Sequence, residues 1–439
     1  MVAVPPHILR AIAESKVNSQ EHREAARASL EHTENFIKNC QRRREEFLRT
    51  YSQTKQIIPP QILRSALELG DESQRTRAKR SLDHLEHIIG KVRGSSGSTG
   101  ASDGQEPGSA AHESLTALTG ANEPPYRAVY DIHQSANEGQ LPSELIRDNG
   151  IKSDKDSGDT NSKDKASKDK AVNQAFDNVG LVLGFYKKFF KWLSIDNKDA
   201  DVISTVHFGK QYENAFWDPE KLQMVFGDGG EFLNNFTGCI DVIGHELTHA
   251  ITEHTSPLDY YGQASALNEH ISDVFGIMVK QRVQDEQSDA ADWLIGEDCI
   301  LPDVKGTALR SMKEPGTAYD DPIFGKDPQV ANMKQFKTTF EDNGGVHIFS
   351  GIPNRAFYLA SISFGGYSWE KAGKIWWAAL RSGKIPPRST FEQFAHVTID
   401  CAQELYGAAA AKKIKKSWQD VGVVEASTSS DSGPWCSIL

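Results

Sequence analysis

The chain lacks an apolar stretch near the ~20 residues that a membrane-spanning helix requires. It also lacks an excess of positive charge, since 49 Lys and Arg stand against 60 Asp and Glu, a net charge of −11. A phosphate backbone is bound through clustered positive charge, so no nucleic-acid partner is expected. Residues 1–7 show neither the basic region nor the apolar core of a secretory signal, which favours a cytoplasmic protein.

Cysteine is scarce, with five residues scattered along the chain and no metal-type spacing among them. Free thiols in a reducing compartment are the simplest interpretation. The last four residues, Cys436-Ser437-Ile438-Leu439, have the form of a prenylation signal in which a terminal Leu favours geranylgeranyl. A plain tail with one cysteine is the alternative. Membrane contact is therefore predicted only if Cys436 is prenylated.

An internal repeat occupies the start of the chain. Pro5-Pro6-His7-Ile8-Leu9-Arg10 returns as Pro59-Pro60-Gln61-Ile62-Leu63-Arg64, and each copy continues into a charged helical stretch. Residues 1–93 are predicted to form a duplicated helical leader, and the Gly- and Ser-rich residues 94–125 a flexible linker. A helical repeat is typical of an interaction surface, so a binding role for the leader stays open.

The remaining chain divides into two halves. Strand-like patterns occur at Val202–Phe208 and Gln223–Phe226, whereas residues 256–425 are mostly helical. These patterns predict an α+β body with an N-terminal half over residues 126–255 and a helical C-terminal half. Residues 426–439 are predicted to be a flexible tail.

A metal-ligand pattern lies in an apolar helix predicted over residues 236–254. His245 and His249 are four residues apart in His245-Glu246-Leu247-Thr248-His249, so both imidazoles project from one helix face. Zinc accepts such nitrogen ligands and leaves a position for water, whose proton Glu246 can take. The same pattern also occurs in helices without metal, where the two histidines are simply satisfied at the surface.

A third ligand is available in the following helical segment. Glu269 lies 20 residues beyond His249, which leaves room for a loop and a returning helix. Asp273 is on the same face one turn later, where it could accept the second imidazole proton of a ligating histidine. Two carboxylates on a solvated face are the alternative, but the apolar run Leu267–Met278 weighs against it.

Six separated motifs agree in order and spacing with the thermolysin family of zinc metallopeptidases. They are Asn214-Ala215-Phe216-Trp217, Met224-Val225-Phe226-Gly227-Asp228-Gly229, the His245–His249 pattern, Asn268–Asp273, Leu309-Arg310-Ser311-Met312, and Asp342-Asn343-Gly344-Gly345-Val346-His347. The resemblance extends over residues 126–424. It implies a β-rich N-terminal half, a helical C-terminal half and an active cleft between them.

The resemblance implies catalytic roles for individual residues. His245, His249 and Glu269 would bind one zinc ion, and Glu246 would be the general base. His347, oriented by Asp342, and Tyr260 would donate hydrogen bonds to the developing oxyanion.

It also implies how a peptide substrate would be held. Asn214 and the backbone of Ala215 would bind the substrate as an added strand. Arg310 would bind the carbonyl of the residue after the scissile bond. Val242 and Leu309 would line a pocket for a bulky apolar side chain at that residue.

The chain departs from calcium-stabilised members of the family. Asp241, Asp292 and Glu297 match carboxylates that bind a pair of calcium ions there, but Lys280 and Leu294 stand where acidic ligands are expected. Calcium requires hard oxygen ligands. We therefore expect no calcium pair, and a Lys280 bridge to the neighbouring carboxylates instead.

These departures and the Pro-Pro-x-Leu leader make the chain similar to the protealysin-like subgroup. In that subgroup a short propeptide with this motif covers the cleft until it is removed, which implies a self-inhibited zymogen. The motif occurs twice here, and the copy at Pro59, nearer the catalytic half, is the better candidate inhibitor. Binding of the other copy to a different partner is the alternative, and the sequence does not determine which copy occupies the cleft. Processing is expected before Tyr126.

Three functional hypotheses follow from the sequence. The first is a zinc endopeptidase with a self-inhibiting leader. The second is a binding or regulatory protein that keeps the protease fold. The third is a zinc enzyme acting on something other than a peptide, against which Asn214 and Arg310, suited to holding a peptide backbone, argue. Peptide hydrolysis that disappears in Glu246→Gln separates the first from the second.

Overall fold

The computed structural model describes residues 4–35, 125–150, 165–218, 221–230, 233–259, 261–322, 325–339 and 342–425. All of them belong to one compact unit, formed by Met1–Asn35 together with Pro125–Leu439. A second unit, Phe36–Pro124, lies outside the described residues, and so does the motif copy at Pro59. Tyr260 and Cys436 are also outside them.

The N-terminal segment forms two helices. Helix α1 spans Pro6–Glu14 and begins directly at the proline, whose missing N–H costs nothing at the first helical position. Ile8, Leu9 and Ile12 lie on its buried face and join the main hydrophobic core of the body. Residues 20–35 are helical and form α2.

The N-terminal half contains a five-stranded sheet in the order β2-β1-β3-β5-β4. Its strands are β1 Arg127–Asp131, β2 Glu144–Asp148, β3 Val202–Val206, β4 Ala215–Asp218 and β5 Gln223–Phe226. The pairs β1–β3 and β3–β5 are parallel, and the outer pairs are antiparallel. Helix α3, Lys170–Phe185, begins at Asp169, whose carboxylate accepts the first free N–H groups. In the strand order of the described residues, β4 lies at an edge of the sheet.

The C-terminal half is helical, which confirms the predicted α+β architecture. Helix α4, Ile240–Thr255, ends the N-terminal half. The helices of the C-terminal half are α5 Gly262–Gln284, α6 Asp342–Phe349, α7 Gly351–Phe364, α8 Ala372–Arg381, α9 Phe391–Tyr406 and α10 Ala408–Asp420. Two short antiparallel pairs lie between α5 and α6, namely β6 Leu294–Ile295 with β7 Arg310–Ser311, and β8 Asp320–Asp321 with β9 Gly325–Lys326. No helix in the described ranges has the length and apolar character needed to cross a bilayer.

Helices α4 and α5 approach closely at two glycines. A Cβ atom added to Gly244 would lie 3.0 Å from Gly276 Cα, and one added to Gly276 would lie 2.5 Å from Asp241 O. Only residues without side chains permit this separation. The contact fixes the face of α4 that carries the histidines against the face of α5 that carries Glu269.

Candidate active site

The two histidines of α4 face each other inside the protein. Their Nε2 atoms are 3.0 Å apart, and both rings are buried. His245 Nδ1 lies 2.9 Å from Asp273 Oδ1, and His249 Nδ1 lies 2.9 Å from Asn268 Oδ1. Because both acceptors are oxygens, we assign the ring protons to Nδ1. The Nε2 lone pairs are therefore left directed at one another, as in a metal site.

Glu269 on α5 completes the cluster. Its Oε2 lies 3.3 Å from His245 Nε2, and its Oε1 lies 3.9 Å from His249 Nε2. Neither carboxylate oxygen accepts a hydrogen bond within the described ranges, although both are buried. A buried carboxylate facing two nitrogen lone pairs is costly unless a cation joins them. Ligand atoms of these three residues lie within 4.8 Å of one another, and two nitrogens with one oxygen fit zinc.

Asp273 accepts a hydrogen bond from His245, one of the two histidines of the cluster, from the position on α5 that the helical spacing indicated. Besides His245 it binds Arg310, whose Nε and Nη2 lie 3.0 and 2.7 Å from its two oxygens. Asn354 Nδ2 donates to it at 2.9 Å. Burial opposes ionisation of Asp273, but Arg310 and His245 hold the pKa of this carboxyl well below its usual range. Its negative charge therefore fixes the orientation of His245.

Glu246 directly follows His245 on α4 and is fully buried. Burial raises the pKa of its carboxyl from 4.5 to about 7, because the charged form loses water. A carboxylate with a pKa near neutrality is well matched to accepting a proton from water at neutral pH.

His347 reaches the same place from α6. Its Nδ1 lies 2.8 Å from Asp342 Oδ1, and its Nε2 lies 3.4 Å from Glu269 Oε2. Burial opposes the charged ring, but Asp342 and Glu269 together raise the pKa of His347 to about 10. The structure thus brings His347 and Asp342 to the cluster.

Comparison with known proteins agrees with this geometry. The model of the thermolysin metallopeptidase catalytic domain matches residues 109–253, and that of its alpha-helical domain matches residues 256–423. The chain belongs to the thermolysin family of metallopeptidases. The protealysin propeptide model also matches, twice, over residues 3–45 and 55–97.

Three relatives of this thermolysin-family chain span most of its length. Protease PrtS of Photorhabdus sp. (strain Az29) is 41% identical over 373 residues, which are 84% of this chain and 92% of the relative. An extracellular metalloprotease of Pectobacterium carotovorum subsp. carotovorum is 41% identical over 368 residues, covering 84% and 96%. The solved precursor of protealysin, a metalloproteinase from Serratia proteamaculans, has a TM-score of 0.63 and 41% identity, covering 84% and 99%.

In this thermolysin-family chain, Asn214 binds the leader itself. Its Oδ1 accepts the Val4 N–H at 2.8 Å, and its Nδ2 donates to Val4 O at 3.3 Å. Asn214 directly precedes Ala215, the first residue of edge strand β4. The Asn214 amide thus hydrogen-bonds to both the N–H and the C=O of Val4, as it would to one residue of an extended peptide. The segment next to the first leader motif therefore contacts Asn214, whereas the contacts of the copy at Pro59 lie outside the described residues.

The leader continues across the body with buried contacts. His7 Nε2 hydrogen-bonds to the Tyr319 hydroxyl, and burial lowers the pKa of His7 to about 4. On α2, the His32 ring lies 5.0 Å from that of Phe208 and 5.2 Å from that of Phe216, measured between centroids. Burial also lowers the pKa of His32 to about 4, so both histidines are held as neutral rings against the catalytic body.

Several supporting residues were not predicted from sequence. Asn268 orients His249, Asn354 binds Asp273, and Tyr319 binds His7. Asn268 carries a local signal, because it adjoins Glu269 in a motif. Asn354 and Tyr319 carry none, since their partners are distant in sequence.

The two residues predicted to line the substrate pocket, Val242 and Leu309, are both buried. Val242 precedes His245 by one turn, and Leu309 precedes Arg310, each with about 1% exposure. Both belong to the main core, so their role in a substrate pocket stays a prediction. Tyr260 lies outside the described residues, so its role is also a prediction.

Lys280 forms the predicted bridge near the other end of α5. Its Nζ lies 3.2 Å from Asp292 Oδ2, 3.1 Å from Glu297 Oε2 and 3.1 Å from Leu294 O. Asp241 Oδ2 accepts the Gly296 N–H at 2.7 Å beside it. An ammonium group therefore holds the carboxylates that resemble calcium ligands. The absence of a calcium pair stays a prediction.

Proposed function

We propose that this metallopeptidase is a zinc endopeptidase that cleaves before bulky apolar residues and is held inactive by the first copy of its leader. The observation that carries the proposal is the pair of hydrogen bonds between Asn214 and the Val4 backbone. The side chain of Asn214, which is suited to binding an extended substrate, is occupied by the chain's own Val4, and the same compact unit contains three residues that could hold zinc.

His245, His249 and Glu269 would hold the zinc. When bound, the ion supplies a Lewis acid that polarises the scissile carbonyl and lowers the pKa of water. Glu246 takes the proton from the attacking water, for which its raised pKa is suited. His347 donates a hydrogen bond from Nε2 to the carbonyl oxygen as negative charge develops, and Asp342 holds its ring. Tyr260 is the proposed second donor.

The substrate would bind in extended form along the sheet edge. Asn214 and the backbone of Ala215 would take its main-chain groups, since among the described residues β4 pairs only with β5. Arg310 would bind the carbonyl after the scissile bond while Asp273 holds its guanidinium in place. Val242 and Leu309 would then select the bulky apolar side chain.

The first test is hydrolysis of a quenched peptide with a bulky apolar residue after the scissile bond. We would compare the full chain, a chain beginning at Tyr126 and the Glu246→Gln variant, each with and without a zinc chelator. Chelator-sensitive activity is expected in the short chain, little in the full chain and none in Glu246→Gln. Folded, zinc-loaded protein without activity in any form would instead support the regulatory hypothesis.

A second test addresses the leader within the full chain. Leu9→Asp places a charge on a fully buried face of α1, so the leader should dissociate and peptidase activity should rise at least tenfold. Val17→Asp is the matched control, because Val17 is 87% exposed. Leu63→Asp makes the same change in the second copy. Activation by Leu63→Asp and not by Leu9→Asp would contradict the assignment of the first copy.

We also propose a cytoplasmic location, with membrane contact only through a prenylated Cys436. The scarce, unpatterned cysteines support the location, whereas the Pectobacterium relative is named extracellular. Fractionation of cells expressing the wild-type chain and Cys436→Ser tests both parts. Equal distribution of the two proteins would exclude lipid attachment.

A further inference from the structure

Two buried cysteines lie against each other outside the catalytic machinery. The Sγ atoms of Cys239 and Cys299 are 2.6 Å apart, compared with about 2.0 Å in a disulfide. Both side chains have no exposed surface. The residues are 60 positions apart, so no local sequence pattern pairs them.

The backbone on both sides is held in place. Cys239 directly precedes α4, and its carbonyl oxygen accepts the Ile243 N–H at 3.1 Å. Cys299 ends the short turn Glu297–Cys299, and its carbonyl oxygen accepts the Asn234 N–H at 2.9 Å. The two sulfurs therefore meet because ordered segments direct them at one another.

We propose that Cys239 and Cys299 form a reversible disulfide under oxidising conditions. With oxidised glutathione, one Cys thiolate attacks a glutathione sulfur and releases one glutathione thiolate. The other Cys thiolate then displaces the second glutathione, which forms the Cys239–Cys299 bond. Two protein thiols are oxidised, one glutathione disulfide is reduced to two glutathione molecules, and the two protein protons pass to them or to solvent.

The local environment determines when this reaction can occur. The neighbouring thiol and burial raise the pKa of Cys239, and burial raises the pKa of Cys299, so few thiolates form in the closed protein. Exchange therefore proceeds during folding or local opening. The pair stays reduced in a reducing cytoplasm and becomes oxidised outside it.

The bond would enclose the whole zinc region. The closed loop from Cys239 to Cys299 contains helices α4 and α5, and with them His245, His249 and Glu269. Cross-linking a loop of this length restricts the unfolded chain, which corresponds to a Tm increase of roughly 5–10 °C for a body of this size. Two reduced thiols that serve only as small apolar core groups would give no such increase.

The experiment uses the full chain, unfolded and refolded with excess zinc in oxidised or reduced glutathione so that burial does not limit access. Free thiols are then alkylated under denaturing conditions and mapped by peptide mass spectrometry. Thermal unfolding is measured for both preparations. Cys401→Ser is the matched control, since Cys401 is also buried.

A Cys239–Cys299 peptide and a higher Tm of the oxidised protein are expected for the wild-type chain and for Cys401→Ser. Cys239→Ala and Cys299→Ala should lack both, and Cys239→Ala/Cys299→Ala should show no redox dependence of Tm. Full alkylation of both cysteines after refolding in oxidised glutathione would overturn the proposal. Because mapping is done on the wild-type chain, this outcome is readable even if a variant does not fold.

Discussion

Two groups of buried charge lie on helix α5 and differ in how they are neutralised. At Glu269, a carboxylate faces the Nε2 atoms of His245 and His249, and all three remain directed at one point. At Lys280, an ammonium group lies among Asp292, Glu297 and a carbonyl oxygen. His347, whose pKa is raised, lies 3.4 Å from Glu269 Oε2, but the Nε2 atoms of His245 and His249 face no cation in the described ranges, whereas at Lys280 the cation lies among its acceptors. Ligand type alone therefore does not identify a metal site, and whether the acceptors already face a cation is equally decisive.

The largest effect should come from removing a ligand at the first group. Glu269→Gln keeps the shape of the side chain but removes its charge, so zinc content should fall and peptidase activity of the leader-free chain should drop on the order of 10³-fold. Zinc per chain and kcat/KM are the measurements. Lys280→Met should retain full zinc content, and loss of zinc there would remove the distinction between the two groups.

Removing the internal cation should affect stability instead. Lys280→Met leaves Asp241, Asp292 and Glu297 without an ammonium partner, which should lower the free energy of unfolding by about 2–3 kcal/mol. This loss of stability is smaller than for a fully buried ion pair, because the side chains of Asp292 and Glu297 are 37% and 45% exposed. Denaturant unfolding measures this free-energy difference, with exposed Lys198→Met as control.

Millimolar calcium should not change the wild-type Tm, and a clear increase would contradict the proposed loss of the calcium pair.

The close contact of α4 and α5 holds the histidines of α4 beside Glu269 of α5. Gly276→Ala would place Cβ 2.5 Å from Asp241 O, so the helices must separate at a cost of about 1–3 kcal/mol. Gly184→Ala in α3 is the control, because its added Cβ meets no atom within 4 Å. That variant should be neutral or more stable by about 0.5–1 kcal/mol. Equal unfolding curves for the two variants would show that the glycine contact is not required.

The smallest effect concerns His207, another internal cation, which loses its charge at high pH. His207 lies 2.7 Å from Asp228 and 2.8 Å from Asp169, and the hydrogen bond to Asp228, against burial, raises its pKa to about 9. Because folding raises the pKa of His207, its ion pairs contribute their full stabilisation below about pH 6.5, and this contribution to the free energy of unfolding disappears as the pH rises to about 9. The wild type should lose about 1–2 kcal/mol over that range relative to His207→Gln. Parallel pH profiles of the two proteins would contradict this assignment.

Sequence reasoning found the catalytic cluster because helical spacing is local. His245 and His249, and likewise Glu269 and Asp273, each lie one turn apart on a single helix, so the period alone places them on one face. Contacts between distant segments had no such signal, as with Asn354 on Asp273 and Cys239 on Cys299. The order of the leader copies was also undetermined, since both carry the same Pro-Pro-x-Leu pattern. Only the tertiary contact of Val4 with Asn214 distinguishes them.

In the function proposed above, the Val4–Asn214 contact is made by a segment that is covalently joined to the enzyme it inhibits. A tethered ligand acts at a local concentration that can reach the millimolar range, so even a weakly binding segment fills the cleft. One cut anywhere within residues 36–124 would turn this contact into an encounter between separate molecules. A segment with a micromolar Kd would then dissociate from an enzyme present at nanomolar concentration. Activation would thus be controlled by dilution, without any change in the contact itself.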